Sequence, residues 1–127
     1  MAVMDPIRAD ILAVRLIPNV AGDLSGKLKL REDQKSIGMF TCNIDDVGYT
    51  AVDEATKHAD VEVVYAQSFY AGAAHASGPL SGEFIGILAG PDPAEVKAGL
   101  AAAGELIKED ACFYTADLEG KIAFYAY

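Results

Sequence analysis

Apolar residues fill nearly every position from Ile11 to Ile17, and Pro18-Asn19 closes the run. A run of this kind predicts a strand covered on both faces, in a sheet interior. Ala21 to Leu30 is weaker: Gly22 and Gly26 oppose a long helix, while Leu24, Leu28 and Leu30 offer apolar contact, so a short helix is expected. Ile37 to Cys42 reads as the next strand. Asn43-Ile44-Asp45-Asp46 then supplies a turn and an acidic cap for a helix running to about Ala59. That helix carries Val47, Ala51, Ala55 and Ala59 at intervals of four, flanked by Val52, a narrow stripe of small side chains suited to close packing on a sheet. On its other face Asp53 with Lys57 and Glu54 with His58 form i,i+4 pairs, each worth about 0.3 kcal/mol.

Val61 to Tyr65 is a strand that must run back against the helix, because the connection is so short. From Ala66 to Gly82 the glycines, Pro79 and small residues around Phe69 and Tyr70 read as a loop. Phe84 to Ala89 is another apolar strand. Asp92-Pro93-Ala94-Glu95 then starts a helix, with Asp92 as N-cap, Pro93 in the first helical position and Glu95 completing a capping box. Val96, Leu100, Ala103 and Ile107 mark its buried face. Ala111 to Thr115 and Ile122 to Tyr127 fit a hairpin around Asp117-Leu118-Glu119-Gly120. The predicted class is α+β: a mostly antiparallel sheet with two helices packed on one face. The apolar Phe-Tyr-Ala-Tyr ending leads us to expect that the natural chain continues.

At 127 residues the chain has material for one domain, and 52% hydrophobic against 23% charged residues can fill a core, which excludes a largely disordered chain. The net charge of -9 repels a nucleic acid backbone. No apolar stretch approaches the roughly 20 residues of a membrane-spanning helix. The first eight residues lack the basic and apolar segments of a secretory signal, so a cytoplasmic protein is expected. Cys42 and Cys112 lie outside any metal-binding or CxxC spacing and read as reduced, buried thiols.

Little in the chain points to catalysis. His58 sits on a solvated helix face and His75 in the glycine-rich loop, neither beside a recognisable nucleophile, and no phosphate-binding glycine spacing occurs. No enzyme activity, cofactor or metal is therefore expected. Asp45-Asp46 is the most charged feature, and helix capping with a favourable dipole interaction accounts for it. A sharper alternative adds Glu83, so that three carboxylates converge on a cation or amine. Phe69, Tyr70, Phe113 and Tyr114 stand in or beside turns, with a core or subunit contact as the ordinary reading and a pore or gate as the other.

Ser36-Ile37-Gly38-Met39, Ala51 to Ala59, Val61-Glu62-Val63-Val64, Gly82-Glu83 and Pro93 to Gly99 resemble the bacterial microcompartment (BMC) shell domain. Asp5-Pro6-Ile7-Arg8, Cys42 to Val47 and Tyr70-Ala71-Gly72-Ala73-Ala74-His75 narrow the likeness to the N-terminal half of the tandem-domain shell proteins of ethanolamine utilisation. The resemblance implies that residues 1–127 form one circularly permuted BMC domain, half of a tandem. It implies a structural role in hexagonal or pseudo-hexagonal tiles, whose pores pass small metabolites. Partners would be further copies, as homotrimer or homohexamer, and other shell proteins, with no nucleic acid and no membrane. Carried over by position, Asp45 and Glu83, with neighbouring Asp46 and the backbone at Phe113, would bind ethanolamine, and Tyr70 and Phe113 would lie near the central pore. An α+β amine sensor that forms no sheets is the rival from another class.

Overall fold

The computed structural model describes residues 6–7, 9–69, 83–110, 112–115 and 123–126, with side chains for 9–69 and 83–108. Among the described residues seven strands form two sheets. β2 (Ile11–Ile17), β3 (Ser36–Cys42), β4 (Glu62–Phe69) and β5 (Glu83–Gly90) make a four-stranded antiparallel sheet in the order β2-β3-β5-β4. β1 (Pro6–Ile7), β6 (Cys112–Thr115) and β7 (Ala123–Ala126) make a three-stranded one in the order β1-β6-β7. β6 and β7 pair antiparallel, as the hairpin reading requires.

Two helices, α2 (Asp45–His58) and α3 (Pro93–Glu105), pack against each other and against the larger sheet, α2 over β4 and β5 and α3 over β3 and β2. The predicted stripe is the contact: Val47, Ala51 and Ala55 are fully buried, with Val52 beside them, and Ala59 is half-buried at the helix end. On α3 Val96 and Ala103 are buried, and the chain continues into a π-helical turn, Leu106–Asp110, that buries Leu106 and Ile107. Phe40, Cys42, Phe84 and Leu88 supply the sheet's half of this core. Glycine at 38 lets α3 settle onto β3, since a Cβ there would stand 2.6 Å from Val96 Cγ1. The short helix α1 (Gly22–Lys27) and the segment after it cover the other face, where Leu24, Leu28 and Leu30 pack on Ile37, Ile87 and Ala89.

Three expectations need correction. β2 is not interior: it is an edge strand with only its ends half-buried, and Leu12 and Val14 are 53% and 55% exposed. A dense apolar run signals two covered faces only where other layers pack above and below the strand, and here the helices centre on β3, β4 and β5 and leave positions 12 to 15 of β2 exposed. The loop proposed from Ala66 begins later, because Ala66–Phe69 extend β4 and pair with Gly86 to Glu83. The polar Gln67 and Ser68 broke the apolar pattern, but pairing to β5 sets the strand's length. The α3 capping box is half made. Asp92 Oδ1 accepts from Glu95 N at 2.9 Å as expected, whereas the Glu95 carboxylate turns to accept from Asp60 N at 2.8 Å, tying α3 to the turn before β4. Tyr70, His75 and the Asp117–Gly120 turn lie outside the described residues.

Candidate functional site

The acidic corner is built where β3 hands over to α2. Asn43 anchors the end of β3, its Oδ1 accepting from Asp10 N at 2.7 Å and its own N donating to Asp10 O at 3.2 Å. The buried Cys42 thiol donates to Ile44 O at 3.3 Å. The helix then starts without the side-chain cap expected of it: Ile44 holds the N-cap position and makes no capping bond. Asp45 Oδ1 instead accepts from Asp46 N, at 2.9 Å, and both acids occupy the first turn. Their placement agrees with the dipole half of the capping argument.

Two effects oppose each other at Asp45. Burial, and then the adjacent Asp46 charge, favour the acid, while the Asp46 and Asp45 amides favour the carboxylate; the first pair wins and the Asp45 pKa is raised. Asp45 is half-buried and Asp46 exposed. Burial also pushes the Cys42 thiol up, to about 11, with Asp45 contributing. This thiol is a core group and not a nucleophile.

Glu83, half-buried, opens β5 opposite Phe69, and its neighbour Phe84 stands opposite Cys42, so Glu83 enters at the same end of the sheet as the acidic corner. Among the described residues no hydrogen bond or ion pair joins Glu83 to Asp45 or Asp46, and no three His, Cys, Asp or Glu side chains gather as a metal ion would require. Phe113 lies on β6, paired with Ile7 and Tyr125 in the smaller sheet. The ring of Tyr49 meets that of Phe84 edge-on at 4.7 Å, walling the corner with aromatic surface. Two carboxylates thus stand on the helix start and a third at the same end of the sheet, where alternation along β5 sets Glu83 on the face opposite Phe84 and α2; a carboxylate of either group can accept from a positively charged donor such as an amine.

A second polar cluster was not singled out in the sequence. Arg31 pairs with Asp33 at 3.2 Å and with Glu62, and Gln34, only 5% exposed, donates from Nε2 to Glu62 at 2.8 Å while its Oε1 accepts from Arg31 N at 2.8 Å. These groups line a polar recess of about 70 Å³ with Gly90 and Pro91, and they tie the segment after α1 to β4. Glu62 lies 28 residues from Gln34, so no local pattern announces the contact. On α2 the expected pairs form, Lys57 with Asp53 at 3.1 Å and His58 with Glu54 at 3.0 Å. No helix among the described residues is long and apolar enough to cross a membrane.

Comparison with known proteins gives a consistent result. The BMC domain profile matches residues 36–117. The chain is 51% identical over 122 residues to the bacterial microcompartment shell protein EutL of Clostridium perfringens, covering 96% of this chain and 56% of that protein. It is 46% identical over 127 residues to EutL of Escherichia coli, covering 100% of this chain and 58% of that protein. The crystal structure of the ethanolamine utilisation protein EutL from Leptotrichia buccalis superposes with a TM-score of 0.88 at 52% identity, over 99% of this chain and 58% of that one. The chain thus spans a little over half the length of the relatives it matches.

Proposed function

The chain belongs to the BMC domain family, and from that premise we propose that it is a structural component of the shell of a bacterial microcompartment for ethanolamine utilisation. One observation carries the reading: identity of 51% to a EutL shell protein over 96% of the chain. In this reading residues 1–127 form one circularly permuted BMC domain corresponding to the N-terminal half of a tandem protein. Copies of it assemble as a homotrimer or homohexamer and join other shell proteins in a tile, in the cytoplasm of the cell that builds the shell.

The proposed tile passes small metabolites through pores, with Tyr70 and Phe113 at the pore, and holds ethanolamine between Asp45, Asp46 and Glu83 with help from the Phe113 backbone. The shared location of the three acids at one sheet end supports that assignment, because an alkylammonium ion bonded to a carboxylate gains a charge-assisted hydrogen bond. The reading is tested by mixing the chain with a hexagonal shell protein of an ethanolamine compartment and imaging by electron microscopy. Incorporation into flat sheets or closed shells is expected; a chain that stays outside them at every ratio refutes the shell role. Calorimetry with ethanolamine on wild type and Glu83→Gln tests the site, and equal heats from both remove Glu83 from it.

A further inference from the structure

β2 and β3 are antiparallel neighbours, which a hairpin turn of about 2 to 5 residues would join. Residues 18–35 connect them instead, crossing the face of the sheet opposite α2 and α3. This strap does little to hold itself together. Its helix α1 spans only Gly22–Lys27, has no side-chain cap and no buried residue, and a helix of that length is not stable unaided. It ends in a Schellman turn, Leu30 N donating to Ser25 O at 3.0 Å and Lys29 N to Gly26 O at 3.2 Å, which sets Lys29 at a φ of 57°. Glycine is the ordinary residue there, and a lysine carries the cost of a left-handed backbone.

What fastens the strap lies outside α1. At its base Val20 N donates to Lys35 O at 2.9 Å, Lys35 N to Gly90 O at 3.0 Å and Ser36 Oγ to Pro18 O at 2.6 Å. Along its length the half-buried Leu24, Leu28 and Leu30 rest on Ile37, Ile87 and Ala89, a floor much smaller than the core beneath α2 and α3. Among the described residues its side chains bond to β4 only at Glu62, whose Oε2 accepts from both Arg31 Nη1 and Gln34 Nε2. Gln34 is the buried partner, and Arg31 N and Gln34 N close a turn on Gln34 Oε1 and Arg31 O. One carboxylate on the outer strand thus gathers the whole Arg31 to Gln34 turn.

We propose that residues 18–35 form a latched strap, a unit that opens and closes over the far face of the sheet while the helical side stays folded, with Glu62 as its catch. A segment with few buried apolar contacts and an unstable helix of its own lies at the low end of a domain's range of local stability. Removing the catch leaves Gln34 with a donor that has lost its acceptor, so the closed state depends on Glu62 beyond the solvent-screened pair with Arg31. Opening uncovers Ile37, Ile87 and Ala89. By alternation along β5, Ile87 and Ala89 share their face with Ile85 and Glu83, so the strap controls access to an apolar floor that continues toward Glu83.

Native-state hydrogen exchange of the 127-residue chain, followed over a series of low urea concentrations, tests this. The hydrogen-bonded amides of Val20, Leu28, Leu30, Gln34 and Lys35 are expected to exchange at least about tenfold faster than those within α2 and β5, and with a shallower urea dependence. Strap and α2 amides that share one rate and one urea slope would show that the strap opens only with the whole domain, and that outcome overturns the proposal. Glu62→Ala is expected to speed strap exchange by a further factor of about ten, the effect of losing a hydrogen bond to a charged acceptor. Asp53→Asn, which makes the same change of net charge by removing an exposed pair on α2, should leave it at the wild-type rate. Equal acceleration by the two removes Glu62 as the catch. Glu62→Gln retains a neutral acceptor and should fall between wild type and Glu62→Ala, which keeps the catch testable if the alanine variant loses its circular dichroism spectrum. Lys29→Gly relieves the left-handed backbone and should slow strap exchange by about threefold. An unchanged or faster rate in that variant means that α1 and its turn are not part of the unit, and the strap assignment falls.

Discussion

Replacing Gly48 by Ala puts the helix-to-sheet contact under direct strain. A Cβ at position 48 would stand 2.3 Å from Cγ and Cδ2 of Phe84 and 2.8 Å from its Cβ, so α2 and the ring must part by about 1 Å to reach ordinary contact. The obstructing atoms are the root of the ring, not its tip, and rotation about χ2 does not clear them. Phe84 is fully buried, with Phe40 at 5.8 Å on one side and Tyr49 at 4.7 Å on the other, so no free space receives it. Overpacking of this kind costs about 3 kcal/mol, at the upper end of its range. Alanine is favoured over glycine within a helix by about 1 kcal/mol. The net expectation is a loss of about 2 kcal/mol, or a melting temperature lower by about 8 °C for a domain of this size. Urea unfolding followed by circular dichroism measures it. In a double-mutant cycle with Phe84→Leu, the cost of Gly48→Ala should shrink by more than half, because the obstructing ring is gone. A G48A protein as stable as the parent, or more stable, would show that helix propensity governs the position and that α2 does not sit this close to β5.

Three further expectations follow from other contacts. The folded Cys42 thiol keeps its proton up to about 11 and the unfolded one only to its ordinary value near 9, so the folded state binds the extra proton between those limits. Stability present below pH 9 is thus lost as pH rises through that window, by about 3 kcal/mol; the pH dependence of urea unfolding should be shallower there in Cys42→Ala, and identical slopes would remove the thiol as its cause. Asp92→Ala should lower stability by about 1 kcal/mol through loss of the bond to Glu95 N while Asp92→Asn retains most of it, and equal losses from both would exclude capping as the reason. Gln34→Ala should cost about 2 kcal/mol, because it leaves the buried edge of a hydrogen-bonded cluster unsatisfied, whereas Arg31→Ala, whose ion pairs are exposed and screened by solvent, should cost less; the reverse order of chemical stabilities would refute the assignment.

Local chemistry explains why much of the order of elements was readable. Asp92 and Pro93 announce α3 because a cap acts on amides two or three residues away, and the Val47, Ala51, Ala55 stripe announces a buried helix face because the helical repeat places those residues together without help from other segments. The acidic pair Asp45-Asp46 was found for the same reason, as neighbours on one turn. Glu83 was named from its place between loop and strand and by family likeness, and nothing in the spacing from 46 to 83 could say how near the acids come.

The chain's own pattern of residues settled the class of fold, the α2 and α3 faces that are buried and the small side chains that let them approach the sheet, since each of these depends on a repeat of two or about 3.6 positions. Three-dimensional pairing settled the rest. β2 carries an interior strand's composition yet stands at an edge, β4 runs on through polar residues because β5 offers hydrogen bonds, and Glu95 leaves its own helix start to hold Asp60. Arg31, Gln34 and Glu62 meet across some thirty residues. Which strands become neighbours is a matter of total burial and hydrogen-bond completion over the whole domain, and such sums have no local signature in the order of residues.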